Sequence, residues 1–468
     1  MIEALKYFFE PKSVAVVGAS RDPSSVGYGL LKSLATGCFM DSGYCRPFKG
    51  KIFPVNPHAT ELMGFKCFPS LKEVPDEIDL AIIVVPARIV PQVAREAGEK
   101  GVKALLVVAA GFAEAGEAGA ALQQELVDAC RKYGMRLVGP NSLGLLRPPA
   151  SLNASFAVSS PPAGDVAFIS QSGALADSVI DWAIKERYSF SAIASVGNSA
   201  DLNASDFVEW AAQDSFTKVI TLYLEGIADG RRFMRVCAKA AKKKPVLLLK
   251  AGRNAVGVKA VTSHTASIAG DYSVWKGAMK QAGVIMVDCL EDLFDLAKVL
   301  AEQPKPKTNS FAIITNGGGA GALCADYCNE FGVNLAELKP STIAKLEATG
   351  LMHSAWSKRN PVDLIGDALP DRYKAAVEIL LSEPYISGLI VIQTLQTMTN
   401  SVEDARVIVQ ARKKHPDKPI VSVFMGGKFS EKGISLLHEN KLPDFNDPKK
   451  AARAAAALAG TLQQARER

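Results

Sequence analysis

A repeated rhythm of short, wholly apolar runs separated by helical stretches constrains this chain more than any single motif. The early runs read Ser13-Val14-Ala15-Val16-Val17, Ile52-Phe53-Pro54-Val55, Leu80-Ala81-Ile82-Ile83-Val84-Val85 and Ala104-Leu105-Leu106-Val107-Val108. None alternates apolar with polar residues, so each suits a strand covered on both faces. Between them lie helical segments such as Pro91-Gln92-Val93-Ala94-Arg95-Glu96-Ala97-Gly98. Strand, helix and strand in that order predict βαβ units and an open, doubly wound parallel sheet.

The rhythm breaks at Arg147-Pro148-Pro149 and at Ser159-Ser160-Pro161-Pro162, then restarts with Val166-Ala167-Phe168-Ile169. It continues through Ser191-Ala192-Ile193-Ala194, Lys218-Val219-Ile220-Thr221-Leu222-Tyr223 and Val246-Leu247-Leu248-Leu249. A third restart follows the linker Glu302-Gln303-Pro304-Lys305-Pro306-Lys307-Thr308, with strands at Phe311-Ala312-Ile313-Ile314, Gly388-Leu389-Ile390-Val391-Ile392 and Pro419-Ile420-Val421-Ser422-Val423. The 468 residues therefore read as three α/β domains in series, 1–150, 151–305 and 306–468, the last two alike in layout.

Charge and cysteine usage narrow the class. A formal net charge of +6 is spread thinly and suits anionic small substrates. No dense Lys/Arg block argues for nucleic acid. The longest basic run, Lys242-Lys243-Lys244, precedes an apolar strand and reads as a solvated helix end. The eight cysteines (Cys38, Cys45, Cys67, Cys130, Cys237, Cys289, Cys324, Cys328) form no CxxC pair, which excludes zinc-ribbon spacing; Cys324 and Cys328 should share a helix face. The start, Met1-Ile2-Glu3-Ala4-Leu5-Lys6, does not read as a secretory signal, and no run of 18 apolar residues occurs. A soluble protein of a reducing cytoplasm, with no membrane contact, is expected.

The chemistry should lie at the strand ends, where open α/β sheets form their ligand crevice. The first turn, Val17-Gly18-Ala19-Ser20-Arg21-Asp22-Pro23-Ser24-Ser25-Val26-Gly27-Tyr28-Gly29, follows a strand and opens a helix, as a phosphate-binding turn does. It is not G-x-G-x-x-G, and no acidic ribose anchor follows about 20 residues on, which demotes NAD. Val55-Asn56-Pro57, Val85-Pro86-Ala87-Arg88, Ala110-Gly111-Phe112-Ala113-Glu114 and Gly139-Pro140-Asn141-Ser142 supply four more turns of the same crevice. Ile169-Ser170-Gln171-Ser172-Gly173-Ala174-Leu175 and Thr315-Asn316-Gly317-Gly318-Gly319-Ala320-Gly321-Ala322 are further strand-to-helix turns with free N–H groups for an anion. The first lacks the leading glycine of a serine nucleophile elbow and the second lacks the Lys-Ser/Thr of a P-loop.

One imidazole fits among them. His264 sits in Val261-Thr262-Ser263-His264-Thr265-Ala266-Ser267-Ile268-Ala269-Gly270, a stretch of small and hydroxyl side chains that reads as a mobile loop. A ring nitrogen can act as a nucleophile towards phosphorus, and a carboxylate on the far nitrogen sets the tautomer. Glu225, ending the apolar run in Tyr223-Leu224-Glu225-Gly226, is the candidate carboxylate. Read alone, each of these residues is equally a turn glycine, a strand-end acid or a surface histidine.

In this order, Val17-Gly18-Ala19-Ser20, Val55-Asn56-Pro57, Gly139-Pro140-Asn141-Ser142, Ile169-Ser170-Gln171-Ser172-Gly173-Ala174, Leu224-Glu225-Gly226 and Thr262-Ser263-His264-Thr265-Ala266 resemble the nucleoside-diphosphate-forming acyl-CoA synthetases, a family related to succinyl-CoA synthetase. The resemblance spans nearly the whole chain and is closest to the α subunits of ADP-forming members. It implies a Rossmann-like CoA-binding domain followed by two flavodoxin-like domains. It further implies CoA contacts at Gly18, Ala19, Ser20, Asn56, Pro57, Pro86, Ala109 and Asn141, and phosphate contacts at Ser172, Gly173, Asn316, Gly318 and Gly319. His264 matches the phosphorylated histidine and Glu225 the carboxylate that steadies it. The nucleotide half, an ATP-grasp segment, is expected on a β subunit in an α2β2 assembly, with Mg2+ and ADP/ATP mainly on that partner and no metal ligand set in this chain. Residues 36–49, with Cys38 and Cys45, read as an insertion without an assigned role. The rival readings are a CoA-binding regulatory or scaffold protein without turnover and an NAD-dependent oxidoreductase.

Overall fold

Each apolar run becomes a buried strand, and these strands assemble into three large sheets. A computed structural model describes residues 2–265 and 270–462. The chain divides into two compact units, Met1–Leu290 and Glu291–Arg468.

The first unit holds two of the sheets. Its first contains β1 (Ser13–Val17), β2 (Lys51–Val55), β3 (Leu80–Ile83), β4 (Ala104–Val107) and β5 (Arg136–Val138), all parallel, in the order β2-β1-β3-β4-β5. The second contains the hairpin β6 (Gly144–Arg147) and β7 (Leu152–Ser155), then the parallel strands β8 (Ala163–Ser170), β9 (Phe190–Ser195), β10 (Val219–Leu224), β11 (Val246–Lys250) and β12 (Ile285–Val287). Its order is β12-β11-β10-β8-β9-β6-β7, with the hairpin antiparallel along one edge. The second sheet thus begins at Gly144, ahead of the border expected near residue 150. The two sheets are joined by backbone: Asn198 and Ala200 N–H groups donate to the carbonyls of Pro140 and Gly139 (2.9 and 3.1 Å). Arg136 adds a two-pronged ion pair to Asp201 (2.8 and 2.9 Å).

The second unit holds the third sheet: β13 (Phe311–Thr315), β14 (Val362–Asp363), β15 (Gly388–Thr394), β16 (Ile420–Met425) and β17 (Asp444–Phe445), in the order β14-β13-β15-β16-β17. In all three sheets the chain first winds one way and then reverses, between β1 and β3, β8 and β10, and β13 and β15. Such a reversal opens a crevice at the carboxyl edge, because the helices that follow the two central strands leave on opposite faces. Cys324 and Cys328 share the buried face of helix Gly318–Glu330, as their spacing requires.

The insertion at residues 36–49 has a structural place. Helix Val26–Thr36 ends on Gly37 in the left-handed region (φ 95°). The Gly37 carbonyl accepts from Ser160 Oγ (2.6 Å) and Asn153 Nδ2 (3.2 Å), and Met40 N–H donates to Val158 O (2.8 Å). The segment therefore docks onto the hairpin edge of the second sheet. Within it Cys38 and Cys45 form a disulfide, which departs from the reduced cysteines expected from composition; six other cysteines are free. The Cα atoms of the two cysteines lie 5.6 Å apart.

Part of the segment expected as a mobile loop is helical. Residues up to Thr265 form the helix Ala255–Thr265, which carries the backbone of His264 in its last turn. Asn254 Oδ1 accepts from Gly257 N–H (2.9 Å) and starts that helix as an N-cap does. The side chain of His264 and residues 266–269 lie outside the described residues. Among the described residues no helix is long and apolar enough to cross a membrane.

Candidate functional site

The first crevice is assembled by loops that each follow one strand of the first sheet. Gly18 leaves β1 with φ +93° and donates its N–H to Val55 O (3.0 Å). A Cβ on Gly27, in the first turn of the next helix, would meet Gly18 O at 2.0 Å, so only glycine permits turn and helix to pack this closely. Asn56, after β2, reaches across and donates Nδ2 to Ala19 O (2.7 Å), while its Oδ1 accepts from His58 N–H (2.8 Å). Pro57 follows in the same turn. Ser20 Oγ accepts from Asp22 N–H (3.1 Å) and shapes the exit towards the helix N-cap Ser25. Pro86, after β3, opens the short helical turn Ala87–Ile89. Ala109, after β4, accepts at its carbonyl from Asn141 N–H (2.9 Å), and Asn141, after β5, sits at φ +58°. All eight residues expected to contact CoA therefore lie along one carboxyl edge, with Gly18 and Pro86 at its point of reversal.

The second sheet repeats the arrangement. Ser172 caps helix Gly173–Glu186 through its hydroxyl (Leu175 N, 3.3 Å). Gly173 packs under Leu143, whose Cβ would lie 3.2 Å from an added Cβ. Across the reversal Glu225 directly follows β10 and is only 5% exposed. Gln171, quoted in the sequence motif but given no role there, joins the two. Its Oε1 accepts from the N–H groups of Glu225 (2.6 Å) and Gly226 (3.1 Å), and its Nε2 donates to Gly226 O (2.9 Å). Three hydrogen bonds from one side chain hold the carboxylate-bearing turn against the helix start.

Charge around Glu225 is tightly arranged. Burial first, then the neighbouring Glu225 carboxylate, pushes the Tyr223 phenol up to about 12. Lys250, ending the neighbouring strand β11, donates Nζ to Glu225 O (2.8 Å) and to Ala251 O. Burial brings its ammonium down to about 8, against the pull of Glu225. Sequence reasoning missed Lys250 because a lysine closing an apolar strand reads as a solvated end; the only available signal was its place one residue beyond Leu249.

Between the two crevices lies a cavity of about 410 Å³, lined chiefly by Gln171, Asn198, Asn203, Gly226, Asp229 and Arg232. Asn198 links it to the first crevice: its Oδ1 accepts from Asn141 Nδ2 (3.4 Å), and its Nδ2 donates to Gln123 Oε1 (3.1 Å) and to Glu114. Gln171 links it to the Glu225 turn. The polar residues are held rigidly, for Asn203 closes a capping box with Asp206, and Asp206 pairs with Arg232 (2.6 Å).

The third sheet builds the same device with different residues. Ser170 Oγ accepts from Ser172 N–H (3.1 Å) and donates to Ser172 O (2.8 Å); Thr315 Oγ1 does the same with Gly317 (3.0 and 3.1 Å). Asn316 takes the part of Gln171: Oδ1 accepts from Thr394 N–H (2.7 Å) and Nδ2 donates to Thr394 O (2.9 Å). Gly318 and Gly319 begin the helix that follows. Because Ser170 pairs with Tyr223 and Thr315 with Ile392, Thr394 stands where Glu225 stands, so this copy lacks the carboxylate.

Comparison with known proteins agrees with this layout. Family models match residues 12–148 (CoA binding domain), 163–300 (succinyl-CoA ligase like flavodoxin domain) and 311–467 (ligase-CoA domain). The alpha subunit of acetate–CoA ligase [ADP-forming] II from Pyrococcus furiosus is 42% identical over 466 residues, covering 99% of this chain and 98% of that protein. Acetate–CoA ligase [ADP-forming] I from Archaeoglobus fulgidus is 40% identical over 97% of this chain, which spans 63% of that longer polypeptide. Among solved structures, the dinucleotide-forming acetyl-coenzyme A synthetase 1 of Ca. Korarchaeum cryptofilum, in complex with phosphate and ADP, superposes with a TM-score of 0.92 at 38% identity, over 99% of this chain and 97% of that one. Three consecutive domain matches and relatives aligned along their full length place the chain in the ADP-forming acyl-CoA synthetase family.

Proposed function

We propose that the chain is the α subunit of an ADP-forming acyl-CoA (acetyl-CoA) synthetase, an acid–thiol ligase that interconverts acyl-CoA, ADP and phosphate with a carboxylic acid, CoA and ATP. The observation that carries this reading is the Gln171 clamp, which sets an anion-binding helix start and a buried carboxylate side by side. Full-length similarity to enzymes of that name supports it.

In this reading CoA lies on domain 1–150 along Gly18, Ala19, Ser20, Asn56, Pro57, Pro86, Ala109 and Asn141. The acyl group enters the cavity past Asn198, whose polar walls suit a short acid. Phosphate held at Ser172 and Gly173 attacks the acyl carbonyl; an O–C bond forms, the C–S bond breaks and CoA leaves as thiolate. A lone-pair nitrogen of His264, in domain 151–305, then attacks phosphorus. The N–P bond forms as the P–O bond breaks, and its electron pair departs with the carboxylate. The proton on the far ring nitrogen stays in place, and Glu225 balances the resulting imidazolium. The phosphoryl group passes to ADP on a partner, which we infer to be an ATP-grasp β subunit in an α2β2 assembly. Asn316, Gly318 and Gly319, in domain 306–468, offer a second phosphate-binding helix start.

Magnesium would accompany ADP/ATP, mainly on the partner, and neutralise phosphate oxygens there. The one acid-and-thiol cluster among the described residues, Cys38-Asp41-Cys45, has both sulfurs in a disulfide and does not suit a hard cation. No step on this chain is therefore routed through a metal.

The test is His264→Ala in the chain reconstituted with its partner. Wild type should take up acid-labile label from γ-labelled ATP and the variant none. Label or ligase activity persisting in the variant would defeat the reading. Glu225→Gln should lower the phosphohistidine yield.

A further inference from the structure

Lys250 is 1% exposed; it feels the charge of the Glu225 carboxylate, but no direct salt bridge to it is seen among the described residues. Its ammonium is held by two carbonyls, Glu225 O at 2.8 Å and Ala251 O, and lies 5.2 Å from the centre of the Trp275 ring. Those carbonyls belong to two adjacent strand ends, since Ala251 N–H donates to Leu224 O (3.0 Å). One strand end presents Glu225. The other leads through Arg253, anchored to Asp288 (2.9 Å), into the helix Ala255–Thr265 that carries His264. One cation thus fastens the carboxylate turn to the root of the histidine helix.

Packing alone does not account for the charge. Methionine would fill much the same space without the cost of burying an ammonium. What a buried cation held by carbonyls, with no direct salt bridge, supplies is a positive charge for an anion that arrives later. The turn it grips already bears one carboxylate, so a phosphoryl group brought there would meet like charge.

We propose that Lys250 is a positioning residue for phosphoryl transfer: it locks the Glu225 turn to the base of the His264 helix and supplies the positive charge that offsets a phosphoryl group beside Glu225. This rests on the reading of His264 as the phosphorylated residue. The experiment uses the chain assembled with its partner and compares wild type, Lys250→Met, Lys250→Arg and His264→Ala. It measures labelling by γ-labelled ATP, CoA binding, steady-state rates and melting. Lys250→Met should form phosphohistidine about tenfold more slowly or worse. Its kcat should fall with the KM for CoA unchanged, while Lys250→Arg, which keeps the charge, recovers most of the labelling rate. Wild-type labelling in Lys250→Met overturns the proposal, as does a folded Lys250→Arg that labels no faster than Lys250→Met. Should Lys250→Met not fold, Lys250→Arg decides alone: labelling retained supports the proposal and labelling lost in a folded protein overturns it. An unlabelled wild type, or a labelled His264→Ala, instead defeats the phosphohistidine reading, whatever the Lys250 variants do.

Discussion

Replacing Gln171 by leucine removes the clamp while nearly preserving side-chain volume. The change withdraws the acceptor of two backbone N–H groups and the donor to one backbone carbonyl. At roughly 0.5–1.5 kcal/mol net per hydrogen bond, three bonds give about 2–4 kcal/mol. The cavity beside Gln171 lets water reach the freed groups of Gly226, which brings the expectation to about 2 kcal/mol. For a unit as large as Met1–Leu290 that corresponds to a fall of about 4 °C in the first melting transition, read by calorimetry. The functional cost should exceed the stability cost, because Glu225 and the Ser172 helix start are held in register by this side chain. Phosphohistidine formation from ATP should drop by about tenfold or more in protein that is still folded. Gln171→Glu separates the two roles of the amide. Its carboxylate still accepts from Glu225 and Gly226 N–H but cannot donate to Gly226 O, and it adds a negative charge to the turn. It should melt nearer to wild type than the leucine variant yet label as poorly. If Gln171→Leu lowers the melting temperature and leaves the labelling rate untouched, the clamp is structural only. If it changes neither, the hydrogen-bond accounting is wrong.

Gly27→Ala should separate the helix Val26–Thr36 from the Gly18 turn, since the new methyl carbon would lie 2.0 Å from Gly18 O. CoA affinity by calorimetric titration should weaken about tenfold or more, and unchanged affinity would remove the first crevice from consideration. Asp404, buried in the second unit, is pushed up to about 7 by desolvation, with Gln393 partly opposing the shift. Its folded value lies above its unfolded one, so the folded state binds the extra proton and the second unit should lose stability as pH rises from about 4 to about 7. Asp404→Asn should abolish that share of the slope, about 3 kcal/mol between urea melts at pH 5 and pH 8. Identical slopes in the two proteins would refute the assignment.

The α/β class was legible because continuously apolar runs have one cheap solution, a parallel sheet shielded on both faces, and the chain repeats that pattern in all three sheets. The strand-end turns were legible for a related reason: glycine, proline and asparagine mark where a sheet hands over to a helix, so Gly18, Asn56, Asn141, Ser172 and Asn316 could be picked out as edge residues. That they share edges is a matter of strand order, and strand order is set by long-range pairing that no local composition records. The same limit explains Gln171 and Lys250. A glutamine between two serines and a lysine at the end of a strand are ordinary in sequence; only the register of Ser170 against Tyr223, and of Leu224 against Lys250, brings them onto the turn of Glu225.

By itself the sequence determined the sheet class and the family and singled out a candidate nucleophile and a candidate carboxylate, because these follow from side-chain chemistry in a fixed order along the chain. Tertiary structure alone decided the rest. It seated the insertion at residues 36–49 on the second sheet and closed its disulfide, it turned the segment before His264 into a helix, and it buried one ammonium without a direct carboxylate partner beside Glu225. Each of these depends on which surfaces meet, and the free energy of such meetings lies in burial and hydrogen bonds between residues far apart in the chain.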